Sequence, residues 1–136
     1  TIGISSDISF EPGSATTKPG FLDILKKIVP TIEESYFMIA VEGHTDSDPL
    51  PKSLRERYPS NWELSGARAS AVVRLLIGLE VDPTRLQSVG YGEFVPRDKN
   101  TAEIITTDLI QKYNSNPQQK SRNRRVEITF LAPNKL

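Results

Sequence analysis

A helix-period apolar stripe with a guanidinium group inside it constrains this chain more than anything else in its sequence. Between Asn61 and Leu79, the residues Leu64, Ala67, Ala71, Val72, Leu75, Leu76 and Leu79 recur at helical spacing. Arg68 lies four residues after Leu64 and four before Val72, so its side chain leaves from the same face. A guanidinium keeps its proton in a protein, and stripping the partner from a buried charge costs about 3–5 kcal/mol. The fold must therefore bring an anion to Arg68, either a carboxylate of the chain itself or that of a ligand.

The 136 residues suffice for a single domain, 1–136, with a real core. Seventeen basic and seventeen acidic side chains cancel, which favours neither nucleic acid nor an anionic membrane. The longest apolar runs, Tyr36 to Val41 and Val72 to Leu79, fall well short of the roughly 18 residues that span a bilayer. No signal-peptide pattern opens the sequence, so a mature or excised soluble piece is expected. Cysteine is absent, which removes disulfides and cysteine–zinc sites without fixing a compartment.

Residues 1 to 10 alternate as a first strand, closed by Glu11-Pro-Gly-Ser14. From Pro19 a helix is predicted on Phe21, Leu22, Leu25, Ile28, Val29 and Ile32, with a kink or break at Pro30. Tyr36 to Val41 reads as a central strand covered on both faces and ended by Gly43. His44-Thr-Asp46 then opens a loop to Pro59. Ser60 and Glu63 form a capping-box pattern, so the long helix starts near Asn61 and stops near Glu80. Leu86 to Val89 is a short strand with a turn at Gly90-Tyr-Gly92. Thr101 to Lys112 has some helical period, Asn114 to Ser121 reads as a mobile polar loop, and Arg124 to Leu131 is the last strand. The fold class is α/β, an α+β sandwich in the order β-α-β-α-β-(α)-β with helices on one side of a mixed sheet.

Asp46 follows the end of the central strand, where open α/β sheets present their sites. Strand parity puts Arg124 on the side of Val126, Ile128 and Phe130, and Arg125 and Glu127 on the other. Two arrangements are compatible with these residues. One is a structural Asp46–Arg68 salt bridge. The other is a zwitterion pocket in which Asp46 takes an ammonium and Arg68 and Arg124 take a carboxylate, helped by a helix N-terminus.

Other chemistry has little support. His44 is the single histidine, which excludes a histidine–metal cluster and reads better as a hydrogen-bonded loop residue than as a base. A serine hydrolase elbow, Gly-x-Ser-x-Gly, is absent. Asp46, Asp48 and Glu42 form a conceivable glycosidase set whose separations sequence does not give. Gly90-Tyr-Gly92 lacks the third glycine of a dinucleotide fingerprint. The basic run Lys120 to Arg125 carries no interleaved aromatics and is a poor nucleic-acid signal. No cofactor or metal is expected.

Four ordered blocks resemble the OmpA-like peptidoglycan-binding domains: Glu42-Gly-His-Thr-Asp46; Asn61, Leu64, Ser65, Arg68, Ala69 and Val72; Gly90-Tyr-Gly-Glu93 with Pro96; and Asn123-Arg-Arg-Val-Glu-Ile128. The resemblance covers about residues 36 to 130, and Phe10 to Ala15, Pro59 to Ser65 and the long loop after Asp46 are similar to the MotB-like branch, the flagellar stator subunits. It implies a non-enzymatic domain that binds peptidoglycan through the diaminopimelate of the stem peptide. Asp46 would hold the ligand ammonium, Arg68 its carboxylate, Asn61 and Leu64 would line the pocket, and Arg124 would close it. It further implies a periplasmic location, a homodimer, and a membrane-anchored parent with a stator partner subunit. An outer-membrane lipoprotein or porin anchor of the same family, or a wall-degrading enzyme, are the rivals. A stretch of about 101–121 is longer than the family pattern and reads as a surface insertion.

Overall fold

The computed structural model describes residues 1–100 and 102–131, so the expected start of the insertion at Thr101 lies outside the described residues. Its elements are β1 (Ile2–Ser5), α1 (Ser6–Ser9), α2 (Phe21–Glu33), β2 (Met38–His44), α3 (Asn61–Gly78), β3 (Leu86–Gly90), α4 (Thr107–Lys112), α5 (Pro117–Asn123) and β4 (Arg125–Leu131). The sheet runs β1-β4-β2-β3, with β2 and β3 parallel and β4 antiparallel to both β1 and β2. This is the expected α+β architecture on a mixed sheet.

The core lies between one face of the sheet and the two long helices. Ile39 and Val41 of β2 and Val126 and Ile128 of β4 pack with Phe21, Leu25 and Ile32 of α2 and with Ala69, Val72 and Leu76 of α3. Each of these side chains is essentially solvent-free. Burying a Val, Leu, Ile or Phe side chain contributes about 1.5–3 kcal/mol, so this layer holds the sheet to the helices.

Two glycines set how close α3 comes. A Cβ on Gly43 would collide with the Ser65 carbonyl, and one on Gly90 would stand 2.6 Å from the Gly66 nitrogen. The helix backbone therefore rests directly on the ends of β2 and β3. The capping box forms as expected: Ser60 accepts the Trp62 N–H at 3.2 Å and donates to the Glu63 carboxylate. That bond holds the Glu63 carboxyl below its usual range.

Several expectations change. Residues 6–9 are a helical turn rather than strand, because the Ser5 hydroxyl accepts the Asp7 N–H at 3.2 Å and caps it. The helix continues through Pro30 to Glu33, where the proline sits exposed in the last turn and its missing N–H is lost close to the helix end. Tyr36 and Phe37 precede the strand, and Tyr36 is exposed. The far face of β2 is buried at Ala40 and His44 without being wholly apolar. It carries Glu42, which accepts from Thr129 and from the Tyr91 hydroxyl, the latter at 3.2 Å.

The polar stretch after Lys112 folds in part into helix α5, where a loop was expected. Asn116 caps it by accepting the Gln119 N–H at 2.8 Å, with Pro117 at the first helical position. Two buried asparagines then tie it down: Asn123 Nδ2 donates to the Tyr113 carbonyl and to Asn114 Oδ1, both at 2.9 Å.

Candidate functional site

The site assembles where β2, α3 and β4 meet. β2 delivers His44-Thr-Asp46 at its end, α3 presents Asn61, Leu64 and Arg68 from its first two turns, and Arg124 stands one residue before β4. All but Arg124 are buried.

Asp46 and Arg68 do not form a salt bridge. Asp46 Oδ2 accepts from Arg124 Nη1 at 2.6 Å, and its Oδ1 accepts the Asp48 N–H at 2.9 Å. Arg124 also grips Asp7 with its other edge, Nε to Oδ1 at 2.9 Å and Nη2 to Oδ2 at 3.1 Å. Asp7 thus joins the cluster from helix α1. It lies outside the family blocks, and the strand reading of residues 1 to 10 gave no reason to place it there. Arg124 holds the Asp7 carboxyl below its usual range, and Asp7 foremost holds the Arg124 guanidinium above its own. This geometry commits Arg124 to the protein's own carboxylates.

Arg68 is differently placed. It is 6% exposed, it donates Nε to the Ser14 carbonyl at 2.8 Å, and its guanidinium lies 5.2 Å from the Phe10 ring centroid. Among the described residues it has no salt-bridge partner, and its two Nη groups donate to no protein acceptor. Burial lowers its pKa, and the nearby charges of Asp7, Tyr58 and Asp46 oppose that shift. The result is a buried cation that, among the described residues, has no carboxylate within 4.0 Å.

Asn61 holds the loop rather than reaching outward: Nδ2 donates to the Asp48 carbonyl at 3.1 Å and to that of Asp46 at 3.3 Å. Leu64 is 4% exposed beneath it. The long insertion also buttresses the loop, since the Ser47 N–H donates to Asn114 Oδ1 at 3.2 Å and Lys120 pairs with Asp48 at 3.0 Å. The stretch lies at the surface, with residues 115–118 exposed, yet it contacts the loop that carries Asp46. The one sequence signal for it was Asn116-Pro117, an N-cap followed by the proline that favours a helix start.

The basic run is neutralised residue by residue. Lys120 pairs with Asp48, Arg122 with Asp98, Arg124 with Asp7 and Asp46, and Arg125 with Glu127. Paired in this way, the run offers no free cationic stripe to phosphate. His44, 2% exposed, stacks on Tyr91 at 5.2 Å, and its Nε2 lies 3.1 Å from Glu127 Oε2 without hydrogen-bond alignment. His44 and Arg125 together hold the Glu127 carboxyl down to about 2.

Among the described residues no group of His, Asp and Glu could hold a metal ion, and no helix is long and apolar enough to cross a membrane.

The model of the OmpA family matches residues 9–108. The uncharacterized protein YtxE of Bacillus subtilis is 34% identical over 125 residues, 90% of this chain and 44% of that protein. Motility protein B of Helicobacter pylori is 31% identical over 110 residues, 81% of this chain and 36% of that protein. The chain thus spans less than half the length of these curated relatives. The crystal structure of the periplasmic domain of Helicobacter pylori MotB superposes with a TM-score of 0.72 at 26% identity, covering 96% of this chain and 80% of that one. The cell wall anchor of the type VI secretion system from Pseudomonas aeruginosa gives 0.76 at 31% identity, covering 96% and 80%.

Proposed function

The chain belongs to the OmpA family, and from that membership we propose that it binds peptidoglycan without covalent attachment, as a single domain formed by residues 1–136. The ligand group is the diaminopimelate of the stem peptide, and the role is to anchor a stator of the flagellar motor to the wall. The observation that carries this reading is Arg68: a buried guanidinium with its Nε on a backbone carbonyl and its Nη fork paired with no carboxylate among the described residues. A ligand carboxylate meeting that fork bidentately supplies the missing anion. Asp46, 8% exposed and the second residue after β2, takes the ligand ammonium by exchanging it for Arg124.

Each of the remaining pocket positions has a role in this reading. Asn61 fixes the backbone of the Asp46 loop, Leu64 supplies the apolar floor, and Arg124 swings between protein and ligand carboxylates. The domain is non-enzymatic, lies in the periplasm on a membrane-anchored parent, and works as a homodimer beside a stator partner. The type VI secretion neighbour supports wall anchoring as the shared task, with the motor as the finer assignment.

Co-sedimentation with purified diaminopimelate-type sacculi tests the reading. The folded domain should pellet with sacculi and release no soluble muropeptides over time. Undiminished pelleting of a folded Asp46→Asn, Arg68→Gln protein would overturn it.

A further inference from the structure

A cleft of about 450 Å³ lies between residues 15–17 and helix α3. That volume is within the roughly 300–1,000 Å³ of ligand pockets. Ala67, Ala71 and Leu75, successive residues at helical spacing, give it an apolar wall. The exposed Arg57 and Arg74 give it charge.

That charge is unopposed. Among the described residues lining the cleft there is no acid, and neither guanidinium has a salt-bridge partner among the described residues. Lys120, Arg122, Arg124 and Arg125 differ in this respect, since each of them meets a carboxylate. Tyr58 keeps Arg57 beside the cleft. The guanidinium lies 5.8 Å from its ring centroid, and its hydroxyl accepts the Ala15 N–H at 3.3 Å.

The wall facing α3 presents backbone. Thr17 bridges Phe10 in antiparallel fashion. The bridge is flanked by the Glu11 N–H donating to the Thr16 carbonyl at 2.9 Å and the Lys18 N–H donating to the Ser9 carbonyl at 2.8 Å. In that pattern the N–H and carbonyl of Thr17 face away from Phe10, and among the described residues they have no backbone partner. An extended segment can add to such an edge while its side chains meet the walls.

These features select among ligands. Two guanidinium forks suit carboxylates. A phosphate polymer would meet the cations but set polar groups against the alanine and leucine side chains. A wholly apolar segment would leave the guanidiniums unanswered. An extended peptide that alternates acids with small apolar residues satisfies both, because successive side chains point to opposite sides.

We propose that this cleft docks an extended acidic segment of a partner protein, with Arg57 and Arg74 gripping its carboxylates and Thr17 pairing with its backbone. The site lies apart from the wall pocket, and it stands without the wall-binding reading.

The folded domain is titrated against a fluorescein-labelled octapeptide alternating glutamate with valine, read by fluorescence anisotropy. Saturable binding is expected, and peptides with glutamine for glutamate or serine for valine should each bind about fivefold more weakly. Arg57→Gln and Arg74→Gln should each cost about three- to fivefold, as exposed ion pairs do. Ala67→Glu, which puts an acid into the cleft, should abolish binding, with circular dichroism confirming the fold of every variant. No saturable signal, equal binding of the glutamine peptide, or an unaltered response in the Arg57→Gln, Arg74→Gln protein overturns the proposal. Equal binding of the serine peptide, together with its displacement by polyphosphate, would reassign the cleft to phosphate polymers and overturn it as well. Pelleting with sacculi should be unchanged in the Arg57→Gln, Arg74→Gln protein. Its loss there would make the cleft part of the wall pocket and remove the separate partner surface.

Discussion

Arg124 Nη1 donates to Asp46 Oδ2 at 2.6 Å, joining the residue before the last strand to the loop after the central one. The same guanidinium holds Asp7 with its other edge. Arg124→Ala would leave two carboxylates facing each other without a counter-charge. Because Arg124 is about one-third exposed, the cost is discounted to roughly 1–3 kcal/mol at pH 7. Urea unfolding should show that penalty shrinking as pH falls and Asp7, whose carboxyl Arg124 holds below its usual range, is protonated. Asp7→Asn should have the opposite consequence for binding, since it opens one edge of Arg124 to a ligand carboxylate. Pelleting with sacculi should then reach half-saturation at lower protein concentration.

Arg68→Gln separates binding from stability. Glutamine keeps a donor for the Ser14 carbonyl while removing an unpaired buried charge. The melting temperature should fall little, whereas wall binding should weaken about 10- to 100-fold, the worth of a charge-assisted hydrogen-bond pair. An Arg68→Gln domain that melts normally and pellets like the parent would contradict the assignment of Arg68 to the ligand.

Gly43→Ala should destabilise through backbone contact alone. The added methyl meets the Ser65 carbonyl, which belongs to a helix turn and cannot rotate aside. Overpacking of this kind costs about 1–3 kcal/mol, and rigid backbone puts this case at the upper end. Thermal unfolding checks it, and Gly66→Ala is the control, since nothing lies within 4 Å of a Cβ there.

Glu127 predicts an acid limb in the stability curve. Its carboxyl is held down to about 2 in the folded chain, against 4.5 for a free glutamate, mainly by His44 and then by Arg125. A depressed folded pKa gives stability that is complete above about pH 4.5 and lost as pH falls toward 2, by at most about 3 kcal/mol. Glu127→Gln should therefore be less stable than the parent at pH 7, and the difference should close between pH 4.5 and 2. A constant gap across that range would remove Glu127 as the cause.

Elements whose burial sets their pattern were legible in advance: the Ser60 cap, the α3 stripe, the β2 run and the last strand follow from local chemistry and period. Arg68 was legible as a buried cation because helical spacing alone puts it on the apolar face. What stayed hidden was pairing across long separations. Asp7 meets Arg124 across almost the whole chain, and no local pattern marks an acid in a four-residue turn as its partner. The Asn114–Asn123 pair was hidden for a related reason: polarity reads as solvation unless the partners are known. Pro30 misled because its cost depends on position, and three residues from a helix end that cost is small.

The ladder between β1 and β4 sets Ile2 opposite Ile128 and Ser5 opposite Arg125, while His44 also faces Arg125. Thr1 and the Asp46 loop therefore sit at opposite ends of the sheet. A tug on Thr1 against a load fastened near Asp46 runs along the strands, so β1 is sheared from its neighbour rather than unzipped. All rungs must then yield together, so such a pull meets the whole β1–β4 ladder at once.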